Sequence, residues 1–306
     1  MTLDADWVVD RRRLKRHLTA WRLIALVALI AVVATAVGYL SNGQGFVRGA
    51  YVGRLDVEGM IISDRELYEH LDDIAMQPNV KALIVNINSP GGTVVGGEQL
   101  FSALRQVAEH KPVVAVMGEL AASAAYMIAL GADRIFANPG TVTGSIGVIL
   151  QSADLTGLMD KLGIEPVNVK SSPLKAQPNP LEPVSAEARA MIEAVINDFH
   201  AFFVGLVAER RGLGPAEARA LGDGRIFSGS QALQNRLIDA LGDERDARRW
   251  LAENRNIALD LPTLDVDLPD DERLFSNLVT GMVGKVLLPE WLRLDGLVSI
   301  WHPSLR

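Results

Sequence analysis

An α/β fold with a mostly parallel sheet is what this sequence predicts, on three observations. Short apolar runs alternate with stretches of helical periodicity along most of the chain. The runs Val80–Ile87 and Val113–Met117 read as strands buried on both faces, as parallel strands covered by helices are. Apolar residues make up 49% of the 306 positions, enough material for a large core and too much for a disordered chain.

The first element lies before that fold. Leu23–Leu40 is an uncharged apolar run of ~27 Å as a helix, close to the ~30 Å hydrocarbon thickness of a bilayer. Arg11, Arg12, Arg13, Lys15, Arg16 and Arg22 precede it, and only Arg48 and Arg54 follow closely. This asymmetry predicts a cytoplasmic basic segment over 1–22, a transmembrane anchor over 23–40 and everything beyond on the other side. Ala34-Thr35-Ala36 has the small-x-small pattern of a cleavable signal, but the apolar run continues past it to Leu40, which favours an uncleaved anchor. Residues 41–50 read as a linker.

A strand is expected near 52–58. Ser63-x-x-Glu66 then has the form of a capping box, opening a helix with Leu67, Leu71 and Ile74 on one face. The strand Val80–Ile87 leads to a helix after Gly96, with Leu100, Leu104 and Val107 aligned. Val113–Met117 leads to a short helix from about Ser123, followed by strands near 134–137 and 146–150. A long helix runs from Ser185 to about Arg211 with a stripe through Ile192, Val195, Ile196, Phe199, Phe203 and Leu206, a core or subunit contact by its spacing. The acidic stretch 260–272 has no fixed ligand spacing and reads as a solvated linker, not a metal site. A terminal amphipathic helix is expected through Phe275, Leu278, Val279, Met282 and Val286. The main domain is drawn over 51–245, with 246–306 as a carboxyl-terminal extension. Its tail, with Trp291, Leu294, Leu297, Ile300 and Trp301, suits either subunit packing or contact with a membrane surface.

Composition excludes several chemistries. Thirty basic against thirty-seven acidic residues, a net charge of −7, argues against nucleic-acid binding through phosphate contacts. With no cysteine there is no disulfide framework, thiolate metal site or cysteine nucleophile. No cofactor is implied.

Two glycine- or alanine-lined segments stand at strand ends. Asn88-Ser89-Pro90-Gly91-Gly92 follows the first buried strand; by itself Pro-Gly-Gly is a turn signal, but paired glycines also free backbone N–H groups to face a cleft. In Gly118-Glu119-Leu120-Ala121-Ala122-Ser123-Ala124-Ala125-Tyr126 a strand gives way to a helix at Ser123. The hydroxyl is placed to act as a nucleophile or merely to cap the helix, and the segment alone leaves both open. None of the five histidines (His17, His70, His110, His200, His302) stands in a motif with it. Lysine serves as a base where desolvation lowers its pKa; the chain has seven, and Lys175 is one whose immediate neighbours are uncharged, in Ser171-Ser172-Pro173-Leu174-Lys175-Ala176, a weak signal taken alone.

Taken together, Asn-Ser-Pro-Gly-Gly, Ala-Ala-Ser123-Ala-Ala-Tyr, Thr143-Gly144-Ser145-Ile146-Gly147-Val148 and the Lys175 segment resemble the signal peptide peptidase A family of serine proteases, peptidase family S49, in its short single-unit form. Ala132-Asp133-Arg134-Ile135-Phe136-Ala137 and Asp223-Gly224-Arg225-Ile226-Phe227-Ser228-Gly229 extend the likeness over about residues 50–245. The resemblance implies a Clp protease/crotonase-like fold of repeated ββα-type units. It implies Ser123 as nucleophile, Lys175 as general base at a separation of 175 − 123 = 52, and Ser145 as the residue positioning the lysine. The Gly91, Gly92 and Ala124 amides match the oxyanion donors, the choice between the two glycines being open. Where the family commonly has two glycines after the nucleophile, this chain has Ala124 and Ala125, whose methyls are expected near the cleft.

What the family implies further is a bacterial inner-membrane enzyme with an extracytoplasmic catalytic domain. Homo-oligomers are implied too, in which a neighbouring subunit can supply the base, with signal-peptide remnants and other apolar peptides as substrates and no metal. Two other classes stay open at this level: a crotonase-type thioester enzyme, and a catalytically silent membrane scaffold that binds apolar peptides.

Overall fold

The computed structural model describes residues 21–30, 32, 49–266 and 298–300. The chain divides between Gly49 and Ala50 into two compact units. In the first, helix α1 (Trp21–Ile30) carries exposed apolar side chains and is about 15 Å long at ~1.5 Å per residue. Apart from Val32, the remainder of the expected 23–40 span lies outside the described residues, as do the amphipathic helix expected over 275–286, His17 and His302. Among the described residues the helix long and apolar enough to cross a membrane is instead Ala186–Arg211, so the described structure gives no support to an amino-terminal crossing helix. That helix belongs to the second unit: Phe203 and Val207 are buried in its core, and Arg210 donates to the Leu130 and Ala132 carbonyls.

Three long parallel strands organise the second unit: β1 (Tyr51–Ile61), β2 (Val80–Thr93) and β3 (Val113–Ala122). They are joined by α2 (Arg65–Met76) and α3 (Val94–His110). Side chains alternate across a strand. Leu83, Val85 and Ile87 of β2 therefore enter the main core under these helices, while Ala82 and Ile84 enter a smaller core on the opposite face. β3 repeats the pattern, with Val113, Ala115 and Met117 on one face and Val114 and Val116 on the other. Burial on both faces is why neither strand shows a polar–apolar alternation in sequence.

β3 divides its outer edge between two partners. Val114–Met117 pairs with β4 (Arg134–Ala137), and Leu120–Ala122 pairs with β5 (Val142–Gly144). The helix α4 (Ala124–Ala129) lies between β3 and β4 in sequence. Further on come α5 (Thr156–Leu162), α6 (Ala186–Arg211) and α7 (Pro215–Leu221), then β6 (Ile226–Ser228), antiparallel to β5, α8 (Gly229–Gln234) and β7 (Ala240–Leu241), parallel to β4.

Several expectations need correcting. The cap of α2 is Asp64, whose carboxylate accepts from the Leu67 N–H; the Ser63 hydroxyl bonds to Gln99 instead. The strand expected at 146–150 forms earlier, at Val142–Gly144; beyond it Ser145 takes φ 49°, and the chain stays beside residues 224–225 through the Ser145 N–H on the Arg225 carbonyl and the Gly224 N–H on the Ile146 carbonyl. Only Phe203 of the expected α6 stripe is fully buried, since the amino-terminal half of that helix has little of its own unit to pack against.

The fold also continues past 245. Helix α9 (Glu244–Arg255) covers the second face of the sheet with Ala247 and Leu251, and β8 (Thr263–Asp265) pairs with β1. The start of the acidic stretch is thus a strand, with Asp265 ion-paired to Arg54 at 2.6 Å.

Candidate active site

The site lies at the carboxyl ends of the parallel strands, where open α/β sheets place their ligands. β2 does not turn at Pro90-Gly91-Gly92; it stays extended to Thr93. The Ser89 hydroxyl, fully buried, donates to the Gly59 carbonyl at 2.6 Å and accepts the Gly91 N–H at 3.1 Å. Both glycines are dictated by geometry. Gly91 has φ 112°, and a Cβ on Gly92 would stand 1.9 Å from the Ile61 carbonyl oxygen.

Ser123 occupies the single residue between β3 and α4, with φ 59° and ψ −122°. A non-glycine residue there stores strain of about 1–3 kcal/mol. Its backbone is held at both ends, the N–H donating to the Gly144 carbonyl at 2.8 Å and the carbonyl accepting from Met127 at 3.0 Å. The side chain caps nothing, which removes the helix-cap reading; it is buried at 1% exposure and its Oγ has no hydrogen-bond partner. A buried hydroxyl without a partner on a strained strand-to-helix turn is a feature that packing does not explain. Ala124 begins α4, so its N–H is one of the donors a helix cannot satisfy internally.

The Thr143-Gly144-Ser145 segment clamps this turn. The Thr143 hydroxyl donates to the Ala121 carbonyl at 2.6 Å, and a Cβ on Gly144 (φ 82°) would lie 2.6 Å from the Phe227 ring. Ser145 follows with φ 49° and is nearly buried.

The methyls of Ala124 and Ala125, expected near the cleft, are packed as tightly as Ser123 itself. Both are fully buried, and Ala124 packs against Gly97, where an added Cβ would approach the Ala124 methyl to 3.0 Å. Tyr126 is buried as well, its hydroxyl donating to the Leu237 carbonyl at 2.8 Å, and burial pushes the phenol's pKa up so that it stays a neutral donor.

Lys175 is exposed in a run of turns, with its N–H on the Ser172 carbonyl and no hydrogen bond to Ser123. Lys170 is ion-paired with Glu182, which also accepts from Gln177 and Asn179. Of the described histidines, His200 meets the Gly222 carbonyl at 2.5 Å and none is bonded to Ser123. No cluster of metal-ligating side chains occurs among the described residues. The structure thus gathers Gly91, Gly92, Ser123, Ala124 and Ser145 around the ends of β2, β3 and β5, and leaves Lys175 apart. Sequence reasoning gave no role to Ser89 or Thr143, although both lay within the quoted motifs; a serine two residues before glycine was the available signal.

A helix-covered parallel sheet, ending in a glycine-bearing strand beside a strained serine turn, is an α/β architecture with one candidate hydrolytic site. The sequence profile of the Clp protease family matches residues 65–142, and that of peptidase family S49 matches residues 105–258. The chain is 37% identical over 232 residues to slr0021 of Synechocystis sp., named as a protease, covering 75% of this chain and 83% of that one. It is 36% identical to MJ0651 of Methanocaldococcus jannaschii, also named as a protease, over 61% of this chain and 60% of the relative. With an Enterococcus faecium protein named for signal peptide peptidase SppA it shares 32% identity, over 67% of this chain and 63% of the relative. The chain belongs to peptidase family S49 and is a serine protease.

Proposed function

We propose that this protease is a membrane-anchored endopeptidase that hydrolyses signal-peptide remnants and other apolar, extended peptides with a serine–lysine dyad. Ser123 carries the reading: its Oγ is buried, caps no helix and has no partner, in a backbone conformation that costs stability. In this account Lys175 takes the Ser123 proton as Oγ attacks the peptide carbonyl. Negative charge on that oxygen is held by the Gly92 and Ala124 amides. Gly92 is chosen over Gly91 because the Gly91 N–H is already committed to the Ser89 hydroxyl. Protonated Lys175 then donates to the departing amine, and water resolves the acyl-enzyme by the same route.

Assembly supplies the base. The segment carrying Lys175 exposes Leu158, Leu162, Ile164, Val167 and Val169, an apolar surface that a second copy of the chain is suited to cover. Ser145, held next to the Ser123 turn, positions the incoming amine. Membrane attachment through 23–40, with the amino terminus cytoplasmic and the catalytic unit extracytoplasmic in a bacterial inner membrane, rests on the apolar run and its one-sided basic flank. Apolar substrate preference rests on that location and on the likeness to the Enterococcus faecium relative.

The test is mass mapping of products from a mixed signal-peptide library, wild type beside Ser123→Ala. Internal cuts at apolar positions by the wild type alone are expected. Equal products from both proteins, or products confined to polar peptides, contradict the proposal.

A further inference from the structure

Strand β2 reaches the site through a mismatch with β1. Glu58 stands opposite Asn88 and Met60 opposite Gly91, so one residue of β1, Gly59, faces two of β2, Ser89 and Pro90. A bulge of this kind interrupts the ladder of main-chain hydrogen bonds, and Pro90 has no N–H with which to mend it. The Ser89 side chain takes over. Its hydroxyl proton goes to the Gly59 carbonyl at 2.6 Å, and its oxygen accepts the Gly91 N–H at 3.1 Å. The residue is fully buried, so this hydroxyl is open neither to water nor to a substrate.

An oxyanion donor works best when it is fixed before the charge develops. The backbone around the Gly92 amide is the least fixed that a chain can offer. Gly59 has φ 67° and Gly91 has φ 112°, and glycine leaves such conformations at little cost. The Gly91 carbonyl and the Gly92 N–H belong to one planar peptide unit, so rotation at Gly91 swings that N–H. Tying the Gly91 N–H to Ser89, and Ser89 to β1, takes away this freedom on one side. The pairing of Gly92 with Ile61 takes it away on the other.

We infer that Ser89 is a positioning residue of this protease: its hydroxyl, bonded to the Gly59 carbonyl and the Gly91 N–H at once, aims the Gly92 amide at the oxyanion. The inference rests on the peptidase reading of Ser123 and deepens it. Ser89 touches no reacting atom. Without its hydroxyl the Gly91 N–H loses its partner and the peptide unit that follows is free to turn, while the surfaces that hold the rest of a substrate stay as they are.

The experiment compares full-length wild type with Ser89→Ala on a fluorogenic apolar peptide, with thermal unfolding to show that the variant is folded. A fall in kcat of about 30-fold is expected with KM within about twofold, less than the loss from deleting an oxyanion donor outright. Two inhibitors of one sequence separate aiming from general loosening. A peptide aldehyde adds the Ser123 hydroxyl across its carbonyl and places the resulting hemiacetal oxygen on the oxyanion amides; the corresponding peptide alcohol cannot. Ser89→Ala is expected to weaken the aldehyde by about the factor lost in kcat and to leave the alcohol unchanged. If Ser89→Ala does not fold, Ser89→Cys, whose thiol is a weak donor and acceptor, is expected to show the same split at smaller amplitude. A kcat within twofold of wild type, or equal weakening of both inhibitors, overturns the inference while wild type still turns over substrate. Absence of turnover by wild type, with no labelling of Ser123 by a serine-reactive phosphonate, instead overturns the peptidase reading and this inference with it.

Discussion

Ser123 holds φ 59° and ψ −122°, a conformation that glycine enters freely and serine does not. The strain is sustained by the hydrogen bonds to Gly144 and Met127 and by the close fit of Gly144 under Phe227. Ser123→Gly is therefore expected to abolish turnover yet stabilise the fold by about 1 kcal/mol, strain relief exceeding the added unfolded-state entropy. Chemical denaturation checks this, and a less stable variant would refute the strain. Gly92→Ala acts in the opposite direction, since the new methyl has only the Ile61 backbone to meet. A loss of about 3 kcal/mol or more is expected, because a carbonyl held in a strand cannot swing aside as a side-chain tip can. At this scale the sequence was informative about residue type and silent about conformation. The glycines and Ser123 stood out, but whether Ser123 capped its helix depended on a φ value that no spacing encodes.

At the scale of elements, the apolar periodicity was a sound guide wherever an element packs on its own unit, and it failed at ends. Ser63 and Asp64 are both good caps, and Ser63 with Glu66 made the more familiar pattern. The chain chose Asp64 because Gln99 of α3 takes the Ser63 hydroxyl, a tertiary contact invisible locally. Asp64→Ala is expected to lower stability by about 1 kcal/mol and Ser63→Ala by only a few tenths, measured by thermal unfolding. The placement of α9 was missed for a related reason. Its charged sequence suggests a solvated helix, yet Ala247 and Leu251 close the second core against Val52, Ile84, Val114 and Phe136. Leu251→Ala is expected to cost about 3 kcal/mol through the cavity it leaves. An unchanged unfolding midpoint would place α9 outside the cooperative unit and restore a boundary near 245.

At the scale of the whole molecule, the ordered motifs made the family and the sheet legible, because those around Gly91, Ser123 and Gly144 lie at the ends of the parallel strands β2, β3 and β5. What stayed illegible was how the parts meet. Lys175 lies in sequence where a base is expected, but in the single chain it is solvent-exposed, while Lys170 is committed to Glu182. A site completed by a second copy leaves no local trace in sequence beyond exposed apolar residues such as Val167 and Val169. The central claim is that Ser123 is a nucleophile activated by Lys175. The most direct test is the rate at which a serine-reactive phosphonate labels the assembled, full-length protein, read by intact mass and peptide mapping. The account predicts a single adduct on Ser123, formed at the wild-type rate in Lys170→Ala and lost in Lys175→Ala with the fold retained. An adduct on another residue, or undiminished labelling of Lys175→Ala, would contradict it.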